Sequence, residues 1–484
     1  MVFSSVVFLF YFLPAVLILY YTVGKLNIWI RNIILLIGSF VFYGWGEPVY
    51  VILFAFSCLM NYVFGLLLSV FDGSNQARKR ILFLAVILNI GILFIFKYLN
   101  FVIGNINSLL GTSVLASFDL VLPIGISFYT FQALSYVIDV YRRDTPVQKN
   151  FLLVALYISL FPQLVAGPIV RYHTVEEQML GRRENMEMFS VGVCRFITGL
   201  AKKLILANAF AVAADTVFDL TRLWHSQYSV PASLAWVGAL AYTLQIFFDF
   251  SAYSDMAIGL GKMFGFEFEE NFNYPYIAKS VNDFWRRWHI SLTTWFREYV
   301  YFPLGGSRMK NWDGRLRNLA VVWLLTGIWH GANWTFLLWG IWNLVFIVAE
   351  RFWDYDKLPI SSVLRHVYSL LVVILGWVLF RADSLTLAGE YMRNMFGLNG
   401  NGIFSDTAWM FCRENWLFIV IGIFACMPSE FYLDKIRSFI GSGRQAAIQK
   451  AGSFLYPVGM TGLFIVCLVY LVRGGYNPFI YFNF

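Results

Sequence analysis

The sequence predicts an all-α polytopic membrane protein, and three observations carry that reading. Hydrophobic residues fill 59% of the 484 positions and charged residues only 13%, where soluble domains carry about 25% charged residues. Apolar runs of about 20 residues, enough to cross a hydrocarbon core as helix, recur along the chain. The Lys and Arg residues gather in short stretches between those runs, as membrane topology requires. The net charge of +8 therefore reads as orientation in a membrane, and no nucleic-acid partner is expected.

The first span covers 5–23; it lacks a basic leader and a small-residue cleavage site, so it is expected to stay uncleaved. Spans follow near 30–46, 49–70, 81–103 and 121–141. Lys25 and Arg31 follow the first, only Glu47 the second, Arg78-Lys79-Arg80 the third, no basic residue the fourth, and Arg142, Arg143 and Lys149 the fifth. Positive-inside counting then places the N-terminus outside. The run 151–170 breaks this alternation, because Arg171, Arg182 and Arg183 follow it. Pro162, Gly167 and Pro168 interrupt it as a helix, so a re-entrant or interfacial piece buried in protein is expected.

Further apolar runs lie near 188–215, 232–264, 318–350, 363–382, 415–428 and 454–472. About ten to twelve transmembrane helices are expected, with re-entrant and interfacial helices besides. No repeat or low-complexity linker divides 1–484, which reads as a single membrane domain. Within it, 267–317 is the least hydrophobic long stretch and carries seven basic side chains after Lys279, marking it as cytoplasmic or interfacial. Cys58, Cys194, Cys412, Cys426 and Cys467 are scattered without CxxC or metal-ligand spacing, so no metal site is expected.

The chemistry lies with two of the five histidines. Ser280 and Asp283 have the spacing of a capping-box start. Beyond them Trp285, His289, Leu292, Phe296 and Tyr299 fall on one face of a helix. That predicts one amphipathic helix at the membrane boundary with His289 turned inward; a satisfied core histidine would look the same. For His330, the pair of apolar runs in 318–350 would measure about 48 Å as one helix from Leu319, well over a core of about 30 Å. A break near Gly331 is therefore predicted, leaving His330 at a helix junction, either as a kink histidine bonded to a carbonyl or facing a cavity.

An ionisable side chain at membrane depth is a functional candidate. Desolvation favours neutral imidazole, which can take a proton from a hydroxyl as a general base. The chain contains no G-x-S-x-G, H-E-x-x-H or P-loop pattern. Spacing alone leaves acyl transfer and proton-coupled transport both open.

Several stretches resemble the membrane-bound O-acyltransferases, in particular the bacterial branch of alginate and peptidoglycan O-acetyltransferases. They are Met1–Tyr21, Leu122–Gln132 (LPIGISFYTFQ), Phe161–Ile169 (FPQLVAGPI), Gln245–Ala257 (QIFFDFSAYSDMA), Phe284–Gly306, Thr326–Gly340 and Tyr476–Phe482. One departure is Ala252, where that branch more often has Gly. The resemblance implies a ring of tilted helices around a central funnel or tunnel. It implies that His330 is the catalytic base and that His289 orients or polarises the donor thioester, with Asn333, Trp329 and Ser254 shaping the substrate path. Asp249 and Asp255 would line that path or pair with Lys202 or Lys203.

Arg286 and Arg287 would meet the phosphates of acetyl-CoA, although anionic lipid contact explains two arginines equally well. The resemblance further implies acetyl-CoA as donor substrate with no tightly bound cofactor, a bacterial cytoplasmic membrane, an extracytoplasmic acetyltransferase partner protein and a polysaccharide as final acceptor. The nearest alternative is D-alanyl transfer to teichoic acid from an acyl carrier protein; the alternative of another class is a transporter or channel. His173, His225 and His366 fall in more polar loops and are expected to do no chemistry.

Overall fold

The computed structural model describes residues 1–223, 230–309, 312–428, 431–432 and 442–478; His225, Lys310 and the stretch 479–482 lie outside them. Among the described residues the regular elements are all helical, and nine helices have the length and apolar character to cross a membrane. A tenth span is made if the two helices in 406–425, bent by 67° at Asn415, cross together. Internal contacts group the chain into two compact units, one of 1–196, 256–269 and 294–303 and the other of 197–255, 270–293 and 304–484.

In the first unit, a π-helix over Phe8–Phe12 runs into α1 (Leu13–Thr22), followed by α2 (Ile28–Gly46), α3 (Val51–Val70), α4 (Asn75–Lys97) and α5 (Leu99–Leu110). Asn27 and Ser74 start α2 and α4 by accepting from the Ile30 and Ala77 amides, which satisfies donors that a helix start leaves orphaned. Then come α6 (Ile126–Arg142), α7 (Phe151–Ser159), α8 (Tyr172–Gly181) and α9 (Met186–Ala201). The predicted interruption falls where expected: α7 stops at Ser159, and residues 160–170 continue buried without a helix. Part of their polar backbone is met by protein, as such backbone at depth requires. The Phe161 amide donates to Ser39 Oγ at 3.0 Å, and the Tyr157 hydroxyl donates to the Val170 carbonyl at 2.8 Å.

Buried charge in this unit is paired. Asp139 on α6 accepts the Tyr299 hydroxyl at 2.7 Å and faces His173 Nδ1 at 3.0 Å, while Arg171 bridges Glu269 and Glu298. The hydrogen bond to Asp139 raises the His173 pKa above its ordinary 6.5 against the opposing pull of partial burial. A folded pKa above the unfolded one gives stability that is full below about 6.5 and is lost as pH rises through the folded value. The melting temperature in detergent should therefore fall as pH is raised from about 6 to 9, and His173→Gln should flatten that slope. An unchanged slope in the variant would rule out this linkage.

The second unit takes the end of α9, a π-helix over Lys202–Ala207, α10 (Asn208–Arg222) and residues 232–255 of α11 (Ala232–Met263). It continues with α12 (Val281–Arg287), the first residues of α13 (Ile290–Phe296), α14 (Trp312–His330), α15 (Trp334–Phe352) and α16 (Ser362–Arg381). It closes with α17 (Leu385–Met395), α18 (Asp406–Glu414), α19 (Trp416–Ala425) and α20 (Ser442–Arg473). Its core is aromatic, with Trp285, Trp288, Trp323, Trp339 and Trp377 in one buried cluster.

Small residues bring α14 and α15 together. A Cβ at Gly327 would stand 2.6 Å from the Phe336 carbonyl oxygen, and one at Gly340 2.5 Å from that of Trp323. The buried Glu350 carboxylate on α15 accepts the Val281 and Asn282 amides at 2.6 and 2.9 Å. It thereby ties α15 to the start of α12, where a negative charge also suits the helix dipole.

Candidate active site

The predicted break at Gly331 is present: α14 ends at His330 and α15 begins at Trp334. Gly331 is required by packing, since a Cβ there would lie 2.2 Å from the Phe336 ring. Asn333 starts α15 by accepting the Thr335 amide at 3.1 Å, and its amide nitrogen donates to the Asp383 carbonyl at 2.8 Å. The His330 ring is buried edge to face among Trp329 at 4.9 Å, Trp339 at 5.0 Å and Phe380 at 5.0 Å between centroids. It sits at a helix junction in an aromatic box.

His289 departs from expectation. The helix begun by Ser280, whose Oγ accepts the Asp283 amide, is broken: α12 ends at Arg287, and His289 takes a left-handed backbone with φ +46° before α13 starts. The single amphipathic helix from Ser280 to Tyr299 is thus corrected to two short helices. A left-handed conformation costs a non-glycine residue roughly 1–3 kcal/mol and persists only where surroundings hold it. Here Asn271 holds it. Its carbonyl oxygen accepts the Ile290 amide at 2.9 Å, and its side-chain Oδ1 meets His289 Nδ1 at 3.1 Å, the Ser291 amide at 3.2 Å and Ser291 Oγ at 2.9 Å.

That arrangement decides the tautomer. The Ser291 amide can only donate, so the Asn271 atom facing it is the oxygen, and His289 Nδ1 must carry the proton it shares with that oxygen. Burial lowers the His289 pKa, so the ring is neutral. Its Nε2 is then an acceptor, and it has no hydrogen-bond partner among the described residues. A neutral imidazole in this tautomer cannot polarise a thioester carbonyl by donating to it. Of the two roles expected for His289, orienting or polarising the donor thioester, this tautomer is compatible with the first alone.

The two histidines meet on one indole, with the Trp329 ring 6.1 Å from His289 and 4.9 Å from His330. Phe250, on the α11 turn that carries Asp249 and Ser254, stacks edge to face on His289 at 4.6 Å. Asp249 and Asp255 pair as expected, Asp249 with Lys203 at 2.6 Å and Asp255 with Lys202 at 2.7 Å. Ser254 is buried, and its hydroxyl has no partner among the described residues. Arg286 is exposed, whereas Arg287 is committed to Asp283 at 3.0 Å and to the Asn273 carbonyl.

Sequence reasoning missed Asn271, which sits in the polar stretch it had set aside as interfacial. It also missed a polar cavity of about 360 Å³ in the same unit, lined by Asn333, Asp215, Arg381, Gln245 and Tyr476 among others. The available signal was Arg381 at the edge of an apolar run, since charge at that depth asks for a partner. Asp215, more than 160 residues earlier, is that partner at 2.8 Å.

The family model of the membrane-bound O-acyltransferases matches residues 40–356, a range that contains both histidines. The chain belongs to the membrane-bound O-acyltransferase family. Among the relatives of this acyltransferase, the probable alginate O-acetylase AlgI of Pseudomonas aeruginosa is 44% identical over 400 residues, 82% of this chain and 75% of that protein. The probable alginate O-acetylase AlgI of Pseudomonas putida is 39% identical over 100% of both chains. The peptidoglycan O-acetyltransferase of Helicobacter pylori is 34% identical over 83% of this chain and 80% of its own length. The enzyme is an O-acetyltransferase in a multi-pass membrane setting.

Proposed function

We propose that this enzyme takes acetyl from acetyl-CoA on the cytoplasmic side of a bacterial inner membrane and passes it to a hydroxyl reached from the other side. The final product would be an O-acetylated polysaccharide, an alginate-like exopolysaccharide or a cell-wall glycan, formed through an extracytoplasmic partner protein. The observation that carries this reading is His330 at a helix junction, sharing the Trp329 indole with His289. The names of the relatives support acetyl as the group and a polysaccharide as its destination.

In the step proposed, His330 takes the proton of the acceptor hydroxyl as its oxygen attacks the thioester carbonyl carbon. The C–S bond breaks, the thiolate leaves as CoASH with the proton held by the imidazolium, and the oxygen keeps the acetyl group as an ester. His289 Nε2 accepts a hydrogen bond from an N–H of the donor arm and holds it in place. Arg308, Arg315 and Arg317 near the start of α14 and Arg351 at the end of α15 favour the cytoplasm for that end, by the positive-inside rule. This orientation also agrees with an N-terminus outside. Arg286, exposed, is the better placed of the two arginines to meet a donor phosphate.

The test supplies both substrates and controls the side of one. Purified enzyme in proteoliposomes, with a small alcohol acceptor on both sides and acetyl-CoA on one side only, should release CoASH and form the acetyl ester when the thioester is on the face bearing Arg308 and Arg351. Release from the opposite face alone would reverse the orientation, and no release from either face would discard acetyl-CoA as donor.

A further inference from the structure

A second cavity in this unit, of about 390 Å³, lies among α10, α11, α16 and the bent pair of α18 and α19. Its wall is hydrocarbon, of which Phe210, Leu240, Leu370, Ile374 and Ile423 are typical. α19 comes close to α10 at Gly422, where a Cβ would stand 2.9 Å from the Phe210 ring. The bend of 67° at Asn415 then carries α18 out of line with α19. Along α16 the wall runs from His366 to Ile374, about 12 Å at 1.5 Å per residue.

Four wall residues carry side-chain oxygen or nitrogen, and each spends a donor on a backbone carbonyl. The Thr243 hydroxyl donates to Ala239 at 2.8 Å, that of Tyr276 to Thr243 at 2.5 Å, and Asn415 Nδ2 to Phe411 at 3.1 Å. His366 Nδ1 faces the Ala278 carbonyl at 3.1 Å and must donate, since a carbonyl only accepts. A water needs two to four polar partners, whereas an apolar cavity of about 150 Å³ stays dry and takes up benzene. This wall therefore suits a larger apolar guest. The slot is too narrow for a helix, which is about 10–12 Å across with its side chains, because its volume is spread along about 12 Å. A flexible hydrocarbon chain meets both limits, and the helices around the cavity belong to segments long and apolar enough to lie in the medium that supplies one.

The edge at His366 indicates where the head of such a chain lies. His366 is near the start of α16, and the carbonyl it binds precedes Lys279, which is exposed and has no partner among the described residues. A basic side chain beside a cleft between helices, on the cytoplasmic side, suits an anionic lipid headgroup. We propose that this cavity binds one chain of an anionic phospholipid whose phosphate is met by Lys279. The chain fills the space between the bent pair and α10, α11 and α16, and it steadies α18 and α19 by van der Waals contact, the force left for packing where the medium is itself apolar. This inference goes beyond acetyl transfer and takes from that reading only the side on which Lys279 lies.

The test uses the full chain, moved from vesicles of phosphatidylcholine and phosphatidylglycerol in equal parts into mild detergent, and counts the lipids that stay bound by native mass spectrometry. The parent should keep one phosphatidylglycerol in preference to phosphatidylcholine. Ala241→Phe and Ala213→Leu, each adding bulk to the cavity wall, should keep about tenfold less of either lipid. Lys279→Gln should still keep a lipid but lose the preference for phosphatidylglycerol.

A parent that keeps no phospholipid, filled variants that keep as much as the parent, or an unchanged preference in Lys279→Gln overturns the proposal. If neither filled variant folds, phosphatidylglycerol brominated along its chains decides the matter in the parent by diffraction. Bromine within the cavity supports the proposal, and bromine found only elsewhere overturns it. None of these readouts involves acetyl transfer, so their failure leaves that reading standing.

Discussion

Replacing His330 with Ala is expected to lower acetyl transfer by about 10²–10⁴-fold, the range in which a positioned general base contributes. The expectation follows from where the ring is held. Trp329, Trp339 and Phe380 surround it edge to face at 4.9–5.0 Å, so a second base has no room to substitute without moving an aromatic wall. The donor should still bind, because the groups proposed to hold it belong to the loop around His289. The loss should appear in kcat, with KM for acetyl-CoA little changed, which is the signature of an interaction made in the transition state. His330→Gln, which keeps a polar side chain of similar length, should be equally inactive while melting within a few degrees of the parent. Turnover within about threefold of the parent in either folded variant would remove His330 from the mechanism.

The second large effect is structural. Lys203 and Asp249 are 3% and 2% exposed and stand 2.6 Å apart, and Lys203 also donates to the Pro478 carbonyl. Removing one member leaves the other as an uncompensated buried charge, a loss of about 3–5 kcal/mol. That is a large share of a net stability of about 5–15 kcal/mol. Asp249→Leu and Lys203→Met should each deplete folded protein from membranes and lower the detergent melting temperature sharply. The double variant, which removes both charges, should recover most of it. If the double variant is as poor as either single one, the charges serve something other than each other. Comparing acetyl transfer in the recovered double variant with the parent would then show whether Asp249 also lines the substrate path.

These two cases show different degrees of legibility. The pairing of Asp249 and Asp255 with Lys202 or Lys203 was one of two readings open in advance, beside a lining of the substrate path, because ionised groups in apolar helices have few stable options other than each other. The interruption after Ser159 was readable for a similar reason: Pro162 and Pro168 each remove a backbone donor and crowd the preceding turn, and Gly167 weakens a helix further. The break beyond His330 followed from length alone. Each rests on a local property of the chain weighed against the thickness and dielectric of a bilayer.

The loop at His289 was not readable. Its apolar spacing fits a continuous helix through Tyr299, and nothing between Trp285 and Leu292 is a helix breaker. The helix is broken there by Asn271, 18 residues earlier, whose oxygen collects the His289 imidazole and the Ser291 amide and hydroxyl. Hydrogen bonds at that separation leave no trace in periodicity, and they fix both the backbone turn and the tautomer of His289.

The sequence put the crossings at about ten to twelve, where nine helices, or ten with the bent pair, qualify among the described residues. By itself, then, it determined the medium, the rough place of most crossings, the two histidine-bearing segments and the need to pair buried charge. Those follow from hydrophobicity and charge cost, which add up residue by residue along the chain. Only the tertiary structure decided that both histidines share the Trp329 indole, that His289 presents an acceptor nitrogen, and that Arg381 is neutralised by Asp215 beside a polar cavity. These depend on which side chains meet when helices far apart in sequence pack, and a one-dimensional pattern of burial does not specify those meetings.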